Sequence, residues 1–137
     1  MNYLLDGNRM VLGTCYYPEH WPEDMWQKDL QRMHETGIEV IRIAEFAWNK
    51  FEPYENVYDF SFFDGFLDLC EKEQMKVIFC TPSATPPAWL TEKYPEVLNA
   101  RKDGVLIRHG ERRHYNYNSP VYQKMTSELV EKMAQHY

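Results

Sequence analysis

The sequence lacks the residues that build phosphate-binding loops and disulfide frameworks. Only six of its 137 residues are glycine, and neither GxGxxG nor GxxxxGK[ST] follows any predicted strand. A fold that binds a dinucleotide, or a P-loop nucleotide, would need such glycines for the backbone to approach phosphate. The three cysteines, Cys15, Cys70 and Cys80, form no CxxC pair. This favours free buried thiols in a reducing cytosol over a disulfide or zinc framework.

Basic patches and long apolar runs are also missing. The net charge is −6, and the segment from Arg108 to His114 is too short and too mixed in charge to follow a phosphate backbone. No stretch approaches the length of a membrane span, and Met1–Asp6 has neither the basic start nor the apolar run of a signal peptide. We therefore expect a cytoplasmic protein without a cofactor, a nucleic-acid partner or a membrane partner.

Aromatic residues, in contrast, are abundant. They make up 15% of the chain, with ten Tyr, seven Phe and four Trp. Several of them fill a core, while aromatic rings in loops suit flat apolar ligands such as the C–H faces of sugars.

Apolar runs alternate with amphipathic stretches along the chain. The predicted strands are Met10–Tyr16, Ile38–Ala44 and Met75–Cys80, the last of them fully buried over Val77–Cys80. Helices follow each strand, the last one after a long segment, Thr81–Asn118. This order predicts parallel strands with right-handed crossovers, and a barrel of repeated βα units fits it best.

Proline, glycine and serine residues predict where the helices begin and end. Pro22 is expected at the first position of the first helix, and Gly37 after its last turn. Ser61 with Asp64 resembles a capping box for the second helix, and Ser119 caps the final one.

The chain is too short for a complete barrel of this kind. A (β/α)8 barrel needs about 250 residues, and this chain supplies three of the eight units. We therefore expect an α/β fold, a partial (β/α)8 TIM barrel. Residues 1–137 would be the N-terminal part of a catalytic domain, truncated before strand four, with sheet edges and an inner face left uncovered.

The segment after the third strand is the strongest candidate for a functional loop. Three prolines between Thr81 and Leu90 prevent both helix and sheet from continuing, so the loop is stiff, and Trp89 is predicted to be exposed at its tip. In α/β folds this end of a strand is where ligands bind. A rigid connector whose Trp covers the core is the alternative.

Five collinear motifs resemble the N-terminal part of the glycoside hydrolase family 42 β-galactosidases. They are Cys15–Trp21, Ile41–Trp48, Tyr58–Phe60, Thr81–Leu90 and Gly110–Tyr115. The resemblance implies a retaining β-galactosidase with a (β/α)8 catalytic barrel. Such chemistry uses two carboxyl groups about 5–5.5 Å apart. In the family these are the Glu of an Asn-Glu pair ending strand four and a Glu further on, so neither is expected within this sequence.

The resemblance identifies Arg112 as a galactose-binding residue beside the scissile bond. A guanidinium presents a fixed fan of donors that suits neighbouring hydroxyls. Arg113, next in the chain, is the obvious competitor for the role.

We expect the remaining candidate residues to line or support the sugar-binding site. Glu45 is not one of the family's catalytic pair, so we expect it to orient groups on the barrel rim. His20, Trp21, Trp48 and Trp89 are candidate pocket walls or supports, with core packing as the alternative for each.

Two family properties bear on partners. Zinc-binding members carry a Cys four residues after the matched arginine, where this chain has Asn116, so no zinc is expected there. The resemblance also implies a homotrimeric parent enzyme that acts on a β-galactoside.

Two other functions remain open from the residues alone. One is a small carbohydrate-binding module that uses its aromatic loops. The other is a related barrel hydrolase with a different sugar preference.

Overall fold

A computed structural model describes residues 10–137. It divides the chain into two compact units. Of the described residues, the first unit comprises 10–44 and Phe60–Cys80, and the second comprises Glu45–Asp59 and Thr81–Tyr137.

Three strands and five α-helices are found in the described residues. The strands are β1 (Leu12–Cys15), β2 (Ile38–Ile43) and β3 (Lys76–Phe79). The helices are α1 (Glu23–Glu35), α2 (Trp48–Phe51), α3 (Ser61–Lys72), α4 (Ala88–Lys93) and α5 (Pro120–His136), with short 3-10 turns at Pro18–His20 and Pro95–Val97.

The three strands form one parallel sheet in the order β1-β2-β3. Thr14 of β1 pairs with Ile41 of β2, which in turn pairs with Val77 of β3. The predicted parallel pairing is therefore confirmed. Strands β1 and β3 are shorter than expected at both ends, and β2 only at its C-terminal end.

The core of the first unit lies between the sheet and its two helices. Trp26 of α1 packs edge-on against Phe66 of α3, with ring centroids 5.1 Å apart, and Leu30 is completely buried. The Trp26 indole N–H donates to the carbonyl of Pro18, 3.2 Å away. Ile41 of β2 is completely buried as well. Large aromatic side chains thus supply much of the buried area that stabilises this unit.

The prediction that Val77–Cys80 is buried on both faces is wrong. Ile78 is 45% exposed, and its partner on β2, Arg42, is exposed beside it. Successive side chains of a strand point to opposite faces, and within this unit α1 and α3 cover one face of the strands. The other face carries Arg42 and Ile78.

Helix ends follow the sequence signals in two of four cases. Gly37 adopts φ +84°, which ends α1, and the Ser119 hydroxyl accepts the Tyr122 N–H at 3.4 Å. Pro22 precedes α1 as its N-cap instead of forming its first residue. The capping box at Ser61 is wrong because Ser61 is already helical and Phe60 occupies the cap position.

The second unit contains the long segment that the sequence predicted as a loop. It holds α4, a 3-10 turn and short antiparallel bridges, Leu98 with Tyr115 and Ala100 with Leu106. None of the helices in residues 10–137 has the length and apolar content needed to cross a bilayer.

A glycine in the sheet provides a test of the packing between β1 and β2. A methyl group on Gly13 would lie 3.0 Å from the Val40 carbonyl oxygen, closer than side-chain carbons normally approach. We predict that Gly13→Ala lowers the free energy of unfolding by about 1–3 kcal/mol, because one strand must move. Urea denaturation of the purified protein measures the change.

Gly65→Ala is the matched control, since nothing lies within 4 Å of its added methyl group in α3. In α3 the Gly65→Ala substitution should raise the free energy of unfolding by about 0.5–1 kcal/mol, because alanine has a higher helix propensity than glycine. Equal effects at the two positions would contradict this description of the sheet.

Candidate functional site

Two candidate tryptophans meet at one residue, Glu52, in the second unit. The Trp48 indole N–H donates to Glu52 Oε2 at 2.8 Å. The Trp89 indole N–H donates to the backbone carbonyl of Glu52 at 2.9 Å. The segment after β2 and the segment after β3 are thereby joined through a single residue.

Trp48 has the surroundings of a core side chain. It is completely buried, and its ring lies 6.3 Å from that of Tyr122 in α5. The Tyr122 hydroxyl donates to the carbonyl of Ser83 at 2.8 Å, which fixes the proline-rich segment. Trp48 therefore supports the segments around it and has no exposed surface to offer a ligand.

Trp89 lies in α4 and not at the tip of a loop. Its side chain is half-buried, and its N–H is already used by Glu52, so the expected exposed position is wrong. The prolines follow the end of β3 as predicted. The chain then forms the short helix α4, in which the Trp89 indole is half-buried.

A second link lies beside the first. Glu55 accepts a hydrogen bond from the Tyr94 hydroxyl at 2.7 Å and forms an ion pair with Lys93. These bonds lower the pKa of the Glu55 carboxyl, the hydrogen bond from Lys93 being the largest cause.

The electrostatics of Glu52 are those of a buried carboxylate. Burial raises its pKa, although the bonds from Trp48 and the Asn56 N–H favour the charged form and oppose that rise. Burial, together with the nearby charge of Glu52, raises the pKa of Tyr58 to about 12, so its hydroxyl stays protonated and bonded to the carboxylate.

Arg112 lies in a tight turn of the second unit and is exposed. Within residues 10–137 its guanidinium makes no hydrogen bond or ion pair with another side chain. Left-handed residues stand close on both sides, Gly110 with φ +85° and Arg113 with φ +60°. The turn thus presents the Arg112 side chain without a hydrogen-bonded side-chain partner among the described residues.

A pair of histidines flanks this turn. His109 Nδ1 lies 3.0 Å from the Thr91 hydroxyl of α4, and the two imidazole rings of His109 and His114 pack edge to face at 5.1 Å. Burial, and then the neighbouring His114, lower the pKa of His109. The turn that carries Arg112 is therefore tied to the helix that carries Trp89.

The other candidates lie elsewhere. Glu45 is half-buried in the second unit, directly after Ala44, whose φ of +74° turns the chain out of β2. His20 and Trp21 are in the first unit, and both are exposed, Trp21 by 50%. Trp21 lines a surface groove with Tyr17 and Met25.

Asn116 stands at the position where the resemblance would place a zinc-binding cysteine. Asn116 Oδ1 accepts the Asn118 N–H at 3.0 Å, and the Asn116 N–H donates to the Val97 carbonyl at 2.8 Å. In the part of the chain that the structure describes, no three His, Cys, Asp or Glu side chains are grouped to hold a metal ion.

Sequence reasoning missed the importance of Glu52 and Arg42. Glu52 lies four residues after Trp48, and this spacing across a helical turn, which brings side chains together, is a signal that was available. Arg42 extends from the uncovered face of β2 and donates through Nε to Cys80 Sγ at 3.1 Å. Its place in a strand whose other residues, apart from Glu39, are apolar was the signal there.

Three parallel strands with intervening helices define the chain as part of a (β/α)-barrel fold. Comparison with known proteins identifies the family. The sequence model of glycoside hydrolase family 42, described as beta-galactosidase, matches residues 15–137. The chain belongs to this family.

Individual relatives agree with that assignment. Beta-galactosidase Bga of Halorubrum lacusprofundi is 41% identical over 128 residues, 93% of this chain and 18% of its own. A beta-galactosidase of Thermus thermophilus is 42% identical over 127 residues, 93% of this chain and 20% of its own.

Solved structures agree as well. The Halorubrum lacusprofundi enzyme superposes with a TM-score of 0.88 at 41% identity, over 93% of this chain and 19% of that one. The beta-galactosidase of the psychrophilic Marinomonas ef1 superposes with a TM-score of 0.88 at 40% identity, over 93% of this chain and 20% of that one. The chain thus spans about a fifth of the length of the relatives it matches.

Glu52 gives a pH test of this site. Its folded-state pKa lies above the ordinary value, so the folded protein binds the proton more tightly than the unfolded chain does. The free energy of unfolding should therefore fall as pH rises from about 4.5 through the raised pKa. We predict that Glu52→Gln removes this fall. The substitution should also lower the free energy of unfolding by about 1–3 kcal/mol, because the amide of Gln leaves one hydrogen-bond donor without an acceptor.

Urea denaturation between pH 4 and pH 8 measures both effects. Glu55→Gln is the control, because the pKa of Glu55 is lowered and its loss should change the pH dependence in the opposite direction. Parallel pH profiles for the wild type and Glu52→Gln would refute the assignment.

Proposed function

We propose that the protein containing this segment is a retaining β-galactosidase that hydrolyses terminal, non-reducing β-D-galactose residues. The observation that carries the proposal is the family match over residues 15–137, supported by relatives named beta-galactosidase at 41–42% identity. A free-standing carbohydrate-binding module is not favoured, because the match is to a hydrolase along nearly the whole chain.

The reaction requires two carboxyl groups. One attacks the anomeric carbon and forms a covalent galactosyl-enzyme, while the other protonates the departing glycosidic oxygen. The second group then takes a proton from water, and the resulting attack releases galactose. We propose that residues 1–137 are the N-terminal part of the catalytic domain and that both carboxyl groups lie after Tyr137.

Arg112 is proposed to bind galactose beside the scissile bond. In support, it is exposed, it follows the third strand, and its guanidinium makes no hydrogen bond or ion pair with another described side chain. Its planar fan of donors suits two neighbouring sugar hydroxyls or a carboxylate.

The other candidates are proposed to act indirectly. Glu45 would orient groups at the end of β2, and Trp48 and Trp89 would hold the two strand-end segments in place through Glu52. His20 and Trp21 are proposed as walls of the pocket, which their exposure permits.

We further propose that the protein works in the cytosol, in carbohydrate metabolism, as a homotrimer. The free thiols of Cys15, Cys70 and Cys80 suit a reducing compartment. Burial raises the pKa of the Cys70 thiol to about 12, which keeps it protonated and unreactive.

The division of labour between this segment and the rest of the enzyme is testable. The product of the complete reading frame should hydrolyse a nitrophenyl β-galactoside and release β-galactose first, as NMR of the fresh product would show. The isolated 137-residue chain should show no turnover. Turnover by that chain, or an α-configured first product, would refute the proposed placement or the proposed mechanism.

Arg112 and Arg113 are distinguished by a matched pair of substitutions. In the complete enzyme, Arg112→Lys keeps the charge and loses the planar donor fan, so kcat/KM should fall roughly 10–100-fold, as for lost bonds to a charged group. Arg113→Lys should change kcat/KM less than about threefold. The reverse order in steady-state kinetics would move the role to Arg113.

A further inference from the structure

We propose that Glu111 is a positioning residue that fixes the direction of Arg112 and thereby sets the affinity for galactosides. The inference rests on the proposed function, because Arg112 acts on the sugar only if the protein is a β-galactosidase. It adds a residue adjacent to Arg112 that acts on the ligand only through its neighbour.

The backbone of Glu111 closes the turn from both directions. Its N–H donates to the Arg108 carbonyl at 3.1 Å, and its carbonyl accepts the His114 N–H at 3.2 Å. The same carbonyl lies 2.8 Å from His114 Nδ1. Because a carbonyl only accepts, Nδ1 carries a proton and the imidazole of His114 is held in one tautomer.

The side chain of Glu111 ties the turn to the preceding segment. Oε1 accepts the Arg108 N–H at 3.3 Å, and Oε2 forms an ion pair with the Arg101 guanidinium at 3.1 Å. Arg101 is itself fixed, because its N–H donates to the Val105 carbonyl at 2.9 Å. The carboxylate therefore connects the turn to a part of the chain ten residues earlier.

The backbone of the turn needs such restraint. Gly110 and Arg113 both adopt positive φ, and a non-glycine residue such as Arg113 occupies that region only when its surroundings hold it there. Glu111 and Arg112 lie between these two positions. A change at either one redirects the Arg112 side chain, and the bonds of Glu111 are the restraints nearest to it.

The ion pair is too exposed to add much to overall stability. The side chains of Arg101 and Glu111 are 58% and 45% exposed, so water and salt screen their attraction. Its consequence is local, because it restricts the turn and not the whole fold. Loss of the pair should therefore appear in ligand affinity and in its salt dependence before it appears in the unfolding temperature.

The test uses the complete enzyme and a neutral galactoside, so salt cannot act on the substrate's charge. Glu111→Gln should raise KM about two- to fivefold, the range expected for an exposed ion pair, with kcat within twofold of wild type. In wild type, KM should rise between 20 mM and 500 mM NaCl, and in Glu111→Gln this rise should disappear. The midpoint of thermal unfolding should not change.

Partner and control variants sharpen the test. Arg101→Gln should reproduce the rise in KM, and the double variant should be no worse than either single one, because both remove the same interaction. Glu96→Gln removes an exposed charge from the same unit and should leave KM and its salt dependence as in wild type.

The outcomes separate the two proposals. Suppose that Arg112→Lys impairs the enzyme but Glu111→Gln has the KM and the salt dependence of wild type. This result would overturn the role of Glu111 and leave the proposed function intact. A lowered unfolding midpoint with kcat and KM both altered would reduce Glu111 to a structural part of the turn. Absence of galactoside hydrolysis by the wild-type enzyme would overturn the proposed function and this inference with it.

Discussion

The buried carboxylate of Glu52 is the constraint on which the second unit depends. Its side chain accepts the Trp48 indole N–H and its backbone carbonyl accepts that of Trp89, so one residue joins the segments that follow β2 and β3. Burial of a charged group costs free energy unless several donors surround it, and Glu52 has donors from Trp48, Asn56 and Tyr58. A polar group that is fully satisfied in this way specifies one arrangement of its neighbours, which a purely apolar contact would not.

From this anchor the restraints extend toward the candidate sugar-binding residue. Helix α4 carries Trp89, and its Thr91 hydroxyl lies within hydrogen-bond distance of His109 at the start of the turn that presents Arg112. The turn is closed by the backbone bonds of Glu111, and the side chain of Arg112 is exposed. The second unit thus combines a hydrogen-bonded interior with an exposed guanidinium at Arg112, an arrangement suited to hold a polar ligand without reorganising around it.

Most of the fold was predictable because it depends on local patterns. The alternation of apolar runs and helical periods gave the three strands, and their parallel pairing followed from the helices between them. Gly37 and Ser119 marked helix ends through backbone and capping chemistry that a few residues determine. Ile78 was misjudged because an apolar run does not show whether a strand is covered on one face or on both, and the cap at Ser61 failed by one residue.

The site was less predictable because its bonds connect distant residues. Trp89 and Glu52 are 37 positions apart, and no pattern within one segment indicates such a bond. The most direct measurement is the rate of hydrogen exchange at the indole N–H groups, followed by NMR in the complete protein. The account predicts that Trp48 and Trp89 exchange far more slowly than the half-exposed Trp21. Exchange at Trp89 as fast as at Trp21 would show that Glu52 does not hold the two segments together.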